Sequence, residues 1–286
     1  MTFRSTLACA ALLAALASPA AAQIADNTRG VGMGGAVRGD PLGASALRYN
    51  PAGMSRAYLY TAEAQYFRGG PGDINAVGLA IVDSKTQPAL AVGASYDYEF
   101  TDQGAENEVS GHDIRLGFAN ALVPKRVHAG VALEYLTIDR GALGDLTGFT
   151  LDAGLLFTLA PAFHLGLVGH DLINLDDAAR PRRAGGGVAY TGAFLTADVD
   201  VLADFDTQSS VRPVVNAGLE LLLAEAVPVR AGFEWNDARD ERWVGGGIGF
   251  ISSGQGATSS QVGVSYRQNI DDAKNLVFAA GLTMFL

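Results

Sequence analysis

The chain has 286 residues, 36 of them glycine, nearly twice the usual share of about 7%, and its 17% of charged residues falls short of the roughly 25% of soluble domains. With 20 Lys and Arg against 30 Asp and Glu the formal net charge is -10, so there is little to neutralise phosphates and nucleic-acid binding is excluded. A hydrophobic fraction of 49% excludes a disordered chain, and beyond the N-terminus no apolar run reaches the roughly 18 residues of a membrane-spanning helix.

The first predicted element is a secretory signal peptide over residues 1–22. It carries one cation, Arg4, an apolar run from Leu7 to Ala17, and the small-residue exit Ala20-Ala21-Ala22 before Gln23. The only cysteine, Cys9, lies inside it, so the exported chain has no disulfide; a lipoprotein cut at Cys9 would leave the signal almost no apolar core. An exported protein without disulfides must hold together by size or by a sheet closed on itself. Residues 23–56 follow, rich in Gly and Ala and without strand alternation.

From Ala57 onward the apolar residues recur at every second position. Leu90, Val92, Ala94, Tyr96, Tyr98 and Phe100 interleave with Ala91, Gly93, Ser95, Asp97 and Glu99; Val227, Val229, Ala231, Phe233 and Trp235 interleave with Pro228, Arg230, Gly232 and Glu234. Such alternation describes strands with one greasy and one wet face. Turn signals divide residues 57–286 into about fourteen predicted strands: 57–67, 74–83, 88–100, 110–122, 127–139, 147–159, 162–172, 182–191, 193–204, 211–223, 226–236, 241–251, 259–268 and 275–286. The even number and the length of about ten residues suit an all-β, antiparallel transmembrane β-barrel. Tight connections such as Ala160-Pro161 and Ala224-Glu225 alternate with longer, acidic ones, as periplasmic turns alternate with outer loops; Ser252–Thr258 is long where a short turn is due. An Arg or Lys facing lipid at the bilayer midplane costs roughly 2–4 kcal/mol, so the wet face is expected to point inward. Aromatics near strand ends, among them Tyr58, Tyr60, Tyr66, Tyr98, Phe100, Phe149, Phe157, Trp235 and Tyr266, suit interfacial girdles. A soluble sandwich would also alternate, but fourteen strands and the loop rhythm exceed what it needs.

Residues that carry chemistry are few. Gly30-Val31-Gly32-Met33-Gly34-Gly35 matches the dinucleotide fingerprint, yet no strand precedes it and no amphipathic helix or suitably placed acid follows, so the glycines are expected to let a backbone fold tightly in a confined space. His112, His128, His164 and His170 do not form a close ligand set, although His164 and His170 share a strand face, and lumen histidines satisfied by neighbours are expected rather than metal ligands. No G-x-S-x-G, C-x-x-C or H-E-x-x-H motif occurs; neither an enzyme nor a metal or other cofactor is expected. The alternation turns Asp97, Glu99, Asp113, Arg115, Glu134, Asp152, Asp198, Asp200, Glu220, Arg230, Glu234 and Arg267 into the lumen. Such charges line a polar pore or brace a plug as an ion-pair network, and the many small wall residues favour the brace.

Two stretches of the 23–56 segment carry a resemblance. Thr28-Arg29-Gly30-Val31-Gly32-Met33-Gly34-Gly35-Ala36, and then Ala44-Ser45-Ala46-Leu47-Arg48-Tyr49-Asn50-Pro51-Ala52-Gly53-Met54, are similar to the N-terminal hatch of FadL-type outer-membrane transporters and the related PorV-like barrels. The resemblance implies a fourteen-stranded barrel plugged by residues 23–56, with Gly30, Gly32, Gly34, Gly35, Asn50, Pro51 and Gly53 as the hatch motif. It implies passive passage of hydrophobic small molecules such as long-chain fatty acids toward a lateral opening; PorV-like members imply instead an accessory role in secretion with no permeant. The expected partners are outer-membrane lipid, the barrel-assembly machinery, and a hydrophobic ligand. The final strand, from Leu276 to Leu286, is similar to the signal read by that machinery, with Leu in place of the usual terminal Phe. The family's long outer loops are here short and acidic, and its acidic pair before the small-residue stretch is reduced to Asp40.

Overall fold

The computed structural model describes residues 27–69, 74–87, 89–101, 108–141, 144–253 and 258–286. The expected signal peptide, and loop acids such as Asp102 and Glu106, lie outside the described residues.

The chain forms a closed antiparallel barrel of fourteen strands in sequential order. The strands are β1 (Tyr60–Gly69), β2 (Ile74–Asp83), β3 (Ala91–Phe100), β4 (Ser110–Val123), β5 (Val127–Asp139), β6 (Leu146–Ala160) and β7 (Phe163–His170). They continue as β8 (Arg183–Thr191), β9 (Leu195–Asp204), β10 (Arg212–Leu223), β11 (Val227–Asn236), β12 (Glu241–Ser253), β13 (Ser259–Asn269) and β14 (Leu276–Phe285). Closure comes from β1 pairing with β14, Thr61 opposite Phe285 through to Gly69 opposite Val277. A sheet closed in this way leaves no edge to be satisfied in lipid.

Strand boundaries differ from the periodicity in two instructive places. β1 begins at Tyr60 rather than 57 because the chain is still turning there: Ala57 and Leu59 carbonyls are taken by Ser84, and Leu59 N–H donates to Ser84 Oγ at 3.1 Å. β7 stops at His170 because residues 171–182 leave the wall and fold over the rim.

The alternation reads directly as two faces. On β4, Ile114, Leu116 and Phe118 are exposed outward while Asp113, Arg115 and Gly117 are buried inward. The same holds around the wall, where Leu79, Leu133, Val199, Leu219, Ile248 and Val264 are among the exposed apolar side chains. An apolar outer band around a charged interior is what a barrel in a bilayer needs. Tyr98 and Phe100 stack at 5.5 Å, and Tyr135 and Phe149 lie 4.6 Å apart, all toward the rim opposite the chain ends.

Residues 28–55 lie within the lumen as three short helical turns: α1 (Thr28–Gly32), α2 (Ala44–Tyr49) and a 3-10 turn (Pro51–Ser55). Nearly all of their side chains are buried. Leu47 and Met54 pack on Val82, Ala91, Ala119 and Ala132 of β2 to β5. Val31 packs on Phe67, Ala76 and Ala279 of β1, β2 and β14, so these apolar contacts run along one continuous arc of the wall, from β14 round to β5.

Candidate functional site

The candidate site is the contact between this hatch and the wall. Its backbone explains the glycine motif residue by residue. Asn27 caps α1, its Oδ1 accepting from Gly30 N–H at 2.7 Å. Gly34 and Gly35 adopt φ of +62° and +79°, the left-handed region in which a side chain is strained, and this reverses the chain after α1. A Cβ on Gly32 would press on Ser265 and Arg230, and one on Gly34 would strike the β11 backbone at Gly232–Phe233. The sequence motif is thus a helix start and a tight reversal against β11, with no phosphate cradle; the short α1 helix inside it is a feature the periodicity did not signal.

Asn50-Pro51-Ala52-Gly53 is equally local in logic. Asn50 caps the 3-10 turn, its Oδ1 accepting from Ala52 N–H at 3.2 Å, and Pro51 occupies the first helical position, where no N–H is needed. Gly53 lies so close to Pro41 that a Cβ would overlap it. The Asn50 amide then donates outward to the carbonyls of Arg38 and of Leu155, both at 3.2 Å, the latter on wall strand β6.

The wall meets this segment with glycines of its own. A Cβ on Gly117 would strike Leu47 and Met54, on Gly130 the Pro51 backbone, and on Gly154 the Asn50 side chain. Across the lumen, Gly218 faces Met33, Gly232 faces Met33 and Gly34, and Gly245 faces the Val31 carbonyl. Several are cross-strand partners: Gly130 with Gly154, Gly218 with Gly232, Gly232 with Gly245. The result is a girdle without side chains, cut to the width of a polypeptide backbone.

Electrostatics fix the register. The hatch carries four arginines, Arg29, Arg38, Arg48 and Arg56, and the wall offers carboxylates. Arg48 pairs with Asp97 at 2.5 Å and Arg38 with Asp200 at 3.0 Å. Arg29 contacts Glu220 at 3.6 Å and Asp40 at 3.1 Å, and Arg56 also holds Asp40. Asp200 and Asp198 serve the hatch backbone as well: Asp200 Oδ2 accepts from Val37 and Arg38 N–H at 3.1 and 3.2 Å, and Asp198 Oδ2 from Gly39 and Asp40 N–H, both at 3.0 Å. Asn216 donates to the Gly34 carbonyl at 2.7 Å and Ser265 to that of Thr28 at 2.6 Å. Buried charges are tolerable only when paired in this manner.

The remaining lumen charges pair within the wall. Arg230 bonds Glu220 at 2.5 Å, and Arg267 bonds Glu234 at 3.2 Å while lying over the Trp243 ring. Glu220 is only partly buried, near the rim that carries the chain ends. Nearer the opposite rim, Arg115 touches Asp113 at 3.3 Å and Glu134 at 2.9 Å, with Asp152 at 4.0 Å, and Arg180 joins Glu134 to Asp171. Glu134, Asp152 and Asp171 lie close enough to share an ion, but these two guanidinium groups already divide them. Glu99 is buried on the same inner face.

The histidines separate. His128 bonds Ser55 at 2.9 Å, His164 bonds Arg56 at 3.0 Å, and His170 bonds Asp152 at 3.1 Å. His112 is not in the lumen: its even position on β4 turns it outward, where it bonds Tyr96 at 2.8 Å and packs beside Tyr98.

Sequence reasoning located the wall charges by period two but missed their hatch partners. The signal was present, since residues 27–56 hold four arginines and the single acid Asp40, a basic plug for an acidic lumen.

The wall is unbroken: every neighbouring pair from β1 to β14 is hydrogen-bonded, with register irregularities at Ala121/Val123 and Thr158/Ala160. On its outer face, between β4 and β8, a depression of about 730 Å³ is lined by Phe118, Val131, Leu155, Leu167 and small residues including Ala153 and Ala184.

The sequence matches no protein-family model and no curated relative. The fold does have solved counterparts. The CymD monoaromatic hydrocarbon channel aligns with a TM-score of 0.65 at 12% identity, over 92% of this chain and 97% of its own. The Ralstonia pickettii toluene transporter TbuX aligns at 0.62 and 12%, over 92% and 97%. A Pseudomonas aeruginosa FadL homologue aligns at 0.58 and 11%, over 91% and 97%. With a closed fourteen-stranded wall and an N-terminal segment folded into its lumen, the chain has the fold of the FadL-type barrels.

Proposed function

We propose that the protein is an outer-membrane passive transporter of small hydrophobic molecules in a Gram-negative bacterium, exported by its signal peptide. The observation that carries this reading is the hatch. It lies within the lumen, and beside its apolar contacts it is held by a set of ion pairs and hydrogen bonds to the wall, contacts that can exchange partners as the segment shifts. A barrel built only as a scaffold could fill its lumen with apolar side chains at lower electrostatic cost. The fold shared with a monoaromatic hydrocarbon channel and a toluene transporter supports a permeant of that chemistry, a single aromatic ring.

The Asn50 amide reaches the carbonyl of Leu155, whose side chain points the other way into the outer depression. Movement of the hatch is thereby coupled to the β6–β7 wall. The unbroken wall is the one observation on the side of a PorV-like accessory barrel. Uptake of radiolabelled toluene and of a long-chain fatty acid is measured in cells with and without the gene. Faster uptake of either with the gene supports the reading; equal uptake of both overturns it, and a stable stoichiometric protein partner would then favour the accessory role.

A further inference from the structure

The outer depression follows the hydrogen-bonding direction of the sheet and crosses the strands. Its lower row runs from Asn120 on β4 through Ala129 and Leu155 to Leu167 on β7, each opposite the next. Asn120 is three positions from the end of β4 and Ala129 two from the start of β5, so the depression begins close to the rim that carries the chain ends. Leu155 is five positions from the end of β6 and Leu167 four from the start of β7, so it climbs as it goes. From β4 to β8 it spans four interstrand spacings, roughly 19 Å, and half the hydrocarbon thickness of a bilayer is about 15 Å. The wall beneath is closed and its inner side is occupied, Gly130 and Gly154 lying against Pro51 and Asn50. On the outer side Phe118, Leu155 and Leu167 stay exposed.

Cations gather at the low end. The β4–β5 turn is Pro124-Lys125-Arg126 and the β2–β3 connection beside it carries Lys85, all three charges exposed and, among the described residues, in no ion pair. Thr158 N–H donates to the Arg126 carbonyl at 2.8 Å, which ties the turn to the strand that carries Leu155. The neighbouring acid, Asp83, is taken by the N–H groups of Lys85 and Thr86 at 2.9 and 2.8 Å. The only polar side chain of the lining, Asn120, is at the same end. In a chain of net charge -10 this is a basic corner, set where an apolar groove opens toward the headgroups.

We propose that the depression and this corner seat an anionic glycerophospholipid of the periplasmic leaflet, its phosphate on Lys125 and Arg126 and one acyl chain along the groove. The groove rises from the headgroup level toward the midplane, as an acyl chain does. Each Lys or Arg beside an anionic lipid raises binding about fivefold, and a zwitterionic head offsets that gain with its own ammonium. Lipids of the opposite leaflet do not reach the low end. The inference needs the barrel in a bilayer with its chain ends toward the periplasm, and it is separate from any permeant.

The test is native mass spectrometry of the exported full chain, released from detergent micelles that hold equal amounts of phosphatidylglycerol and phosphatidylcholine with matching acyl chains. Heat-dependent gel mobility reports folding. A single phosphatidylglycerol is expected to stay on each chain, favoured about tenfold over phosphatidylcholine. Lys125→Gln with Arg126→Gln is expected to bring the two lipids to parity. Ala153→Phe, which fills the groove, is expected to abolish retention of both; Ala129→Leu replaces it should that variant not fold. Equal retention by the parent, the behaviour of ordinary boundary lipid, overturns the proposal. So does a preference that the groove variant leaves intact, or a complex of two chains that it dissolves, which would assign the depression to a second copy.

Discussion

Arg38 and Asp200 are joined through both backbone and side chain. Asp200 Oδ2 accepts the Arg38 N–H at 3.2 Å and its guanidinium at 3.0 Å, so one buried carboxylate on β9 holds a hatch residue by both of its ends. The same oxygen takes the Val37 N–H. Removing one partner of a buried pair leaves the other charge uncompensated, at a cost of about 3–5 kcal/mol.

Asp200→Asn is accordingly expected to release the middle of the hatch while the barrel stays folded. Conductance across planar bilayers should rise and the hatch should become cleavable by trypsin at Arg38. A variant that conducts and resists trypsin like the parent would show that the pair does not retain the plug.

Gly245 and Gly246 are neighbours on β12 with opposite fates. A Cβ on Gly245 would crowd the Val31 carbonyl, while one on Gly246 meets nothing closer than 3.6 Å. Gly245→Ala should destabilise by about 1–3 kcal/mol, the usual cost of overpacking, and Gly246→Ala should be neutral or slightly stabilising. Denaturant unfolding of the two variants in detergent compares them directly; equal effects would remove the argument for a girdle fitted to the hatch.

Asn50→Ala removes the cap on Ala52 N–H and the amide's bonds to the Arg38 carbonyl and to the wall carbonyls of Leu155 and Leu167. The expected loss is about 1–3 kcal/mol of hatch stability, seen as raised conductance without loss of heat-modifiable mobility. Unchanged conductance would count against a gating role for this residue.

Leu133 projects outward from the middle of β5 and is 48% exposed, beside the buried Glu134. Leu133→Arg is expected to cost roughly 2–4 kcal/mol when the chain folds into liposomes. A cost near zero would mean that this face does not meet the bilayer core.

The Arg140–Asp177 pair, which ties the β7–β8 connection to the end of β5 at 2.7 Å, has a defined pH window. Burial raises the Asp177 carboxyl, but the hydrogen bonds and charge of Arg140, together with the Ala179 N–H, outweigh it and hold the group below its ordinary value. A lowered carboxylate contributes stability that is complete above the unfolded value, about pH 4, and is lost as pH falls through the folded one. Hydrogen-exchange protection of residues 171–182 should therefore be equal at pH 7 and pH 5 and fall at pH 3. Loss already at pH 5 would mean that another group controls the loop.

The sequence by itself determined the wall. Period two along fourteen segments turns Arg115 inward and Leu116 outward whatever the neighbours are, because a strand has only two faces. The hatch motif was legible as a string, and the basic character of residues 27–56 could have been read against the acids of the inner face. Only the tertiary structure decided which arginine meets which carboxylate, since Arg38 and Asp200 are 162 positions apart and no local pattern links them. It also decided that the glycine excess is a lining: Gly130 and Gly154 are bare because Pro51 and Asn50 pass against them. Leu175 shows the same limit from the other side. Beside Leu172 and Ile173 nothing in the sequence marks it out, and its packing comes from Val109, Leu136, Ile138 and Leu146, which the fold gathers from separate strand ends.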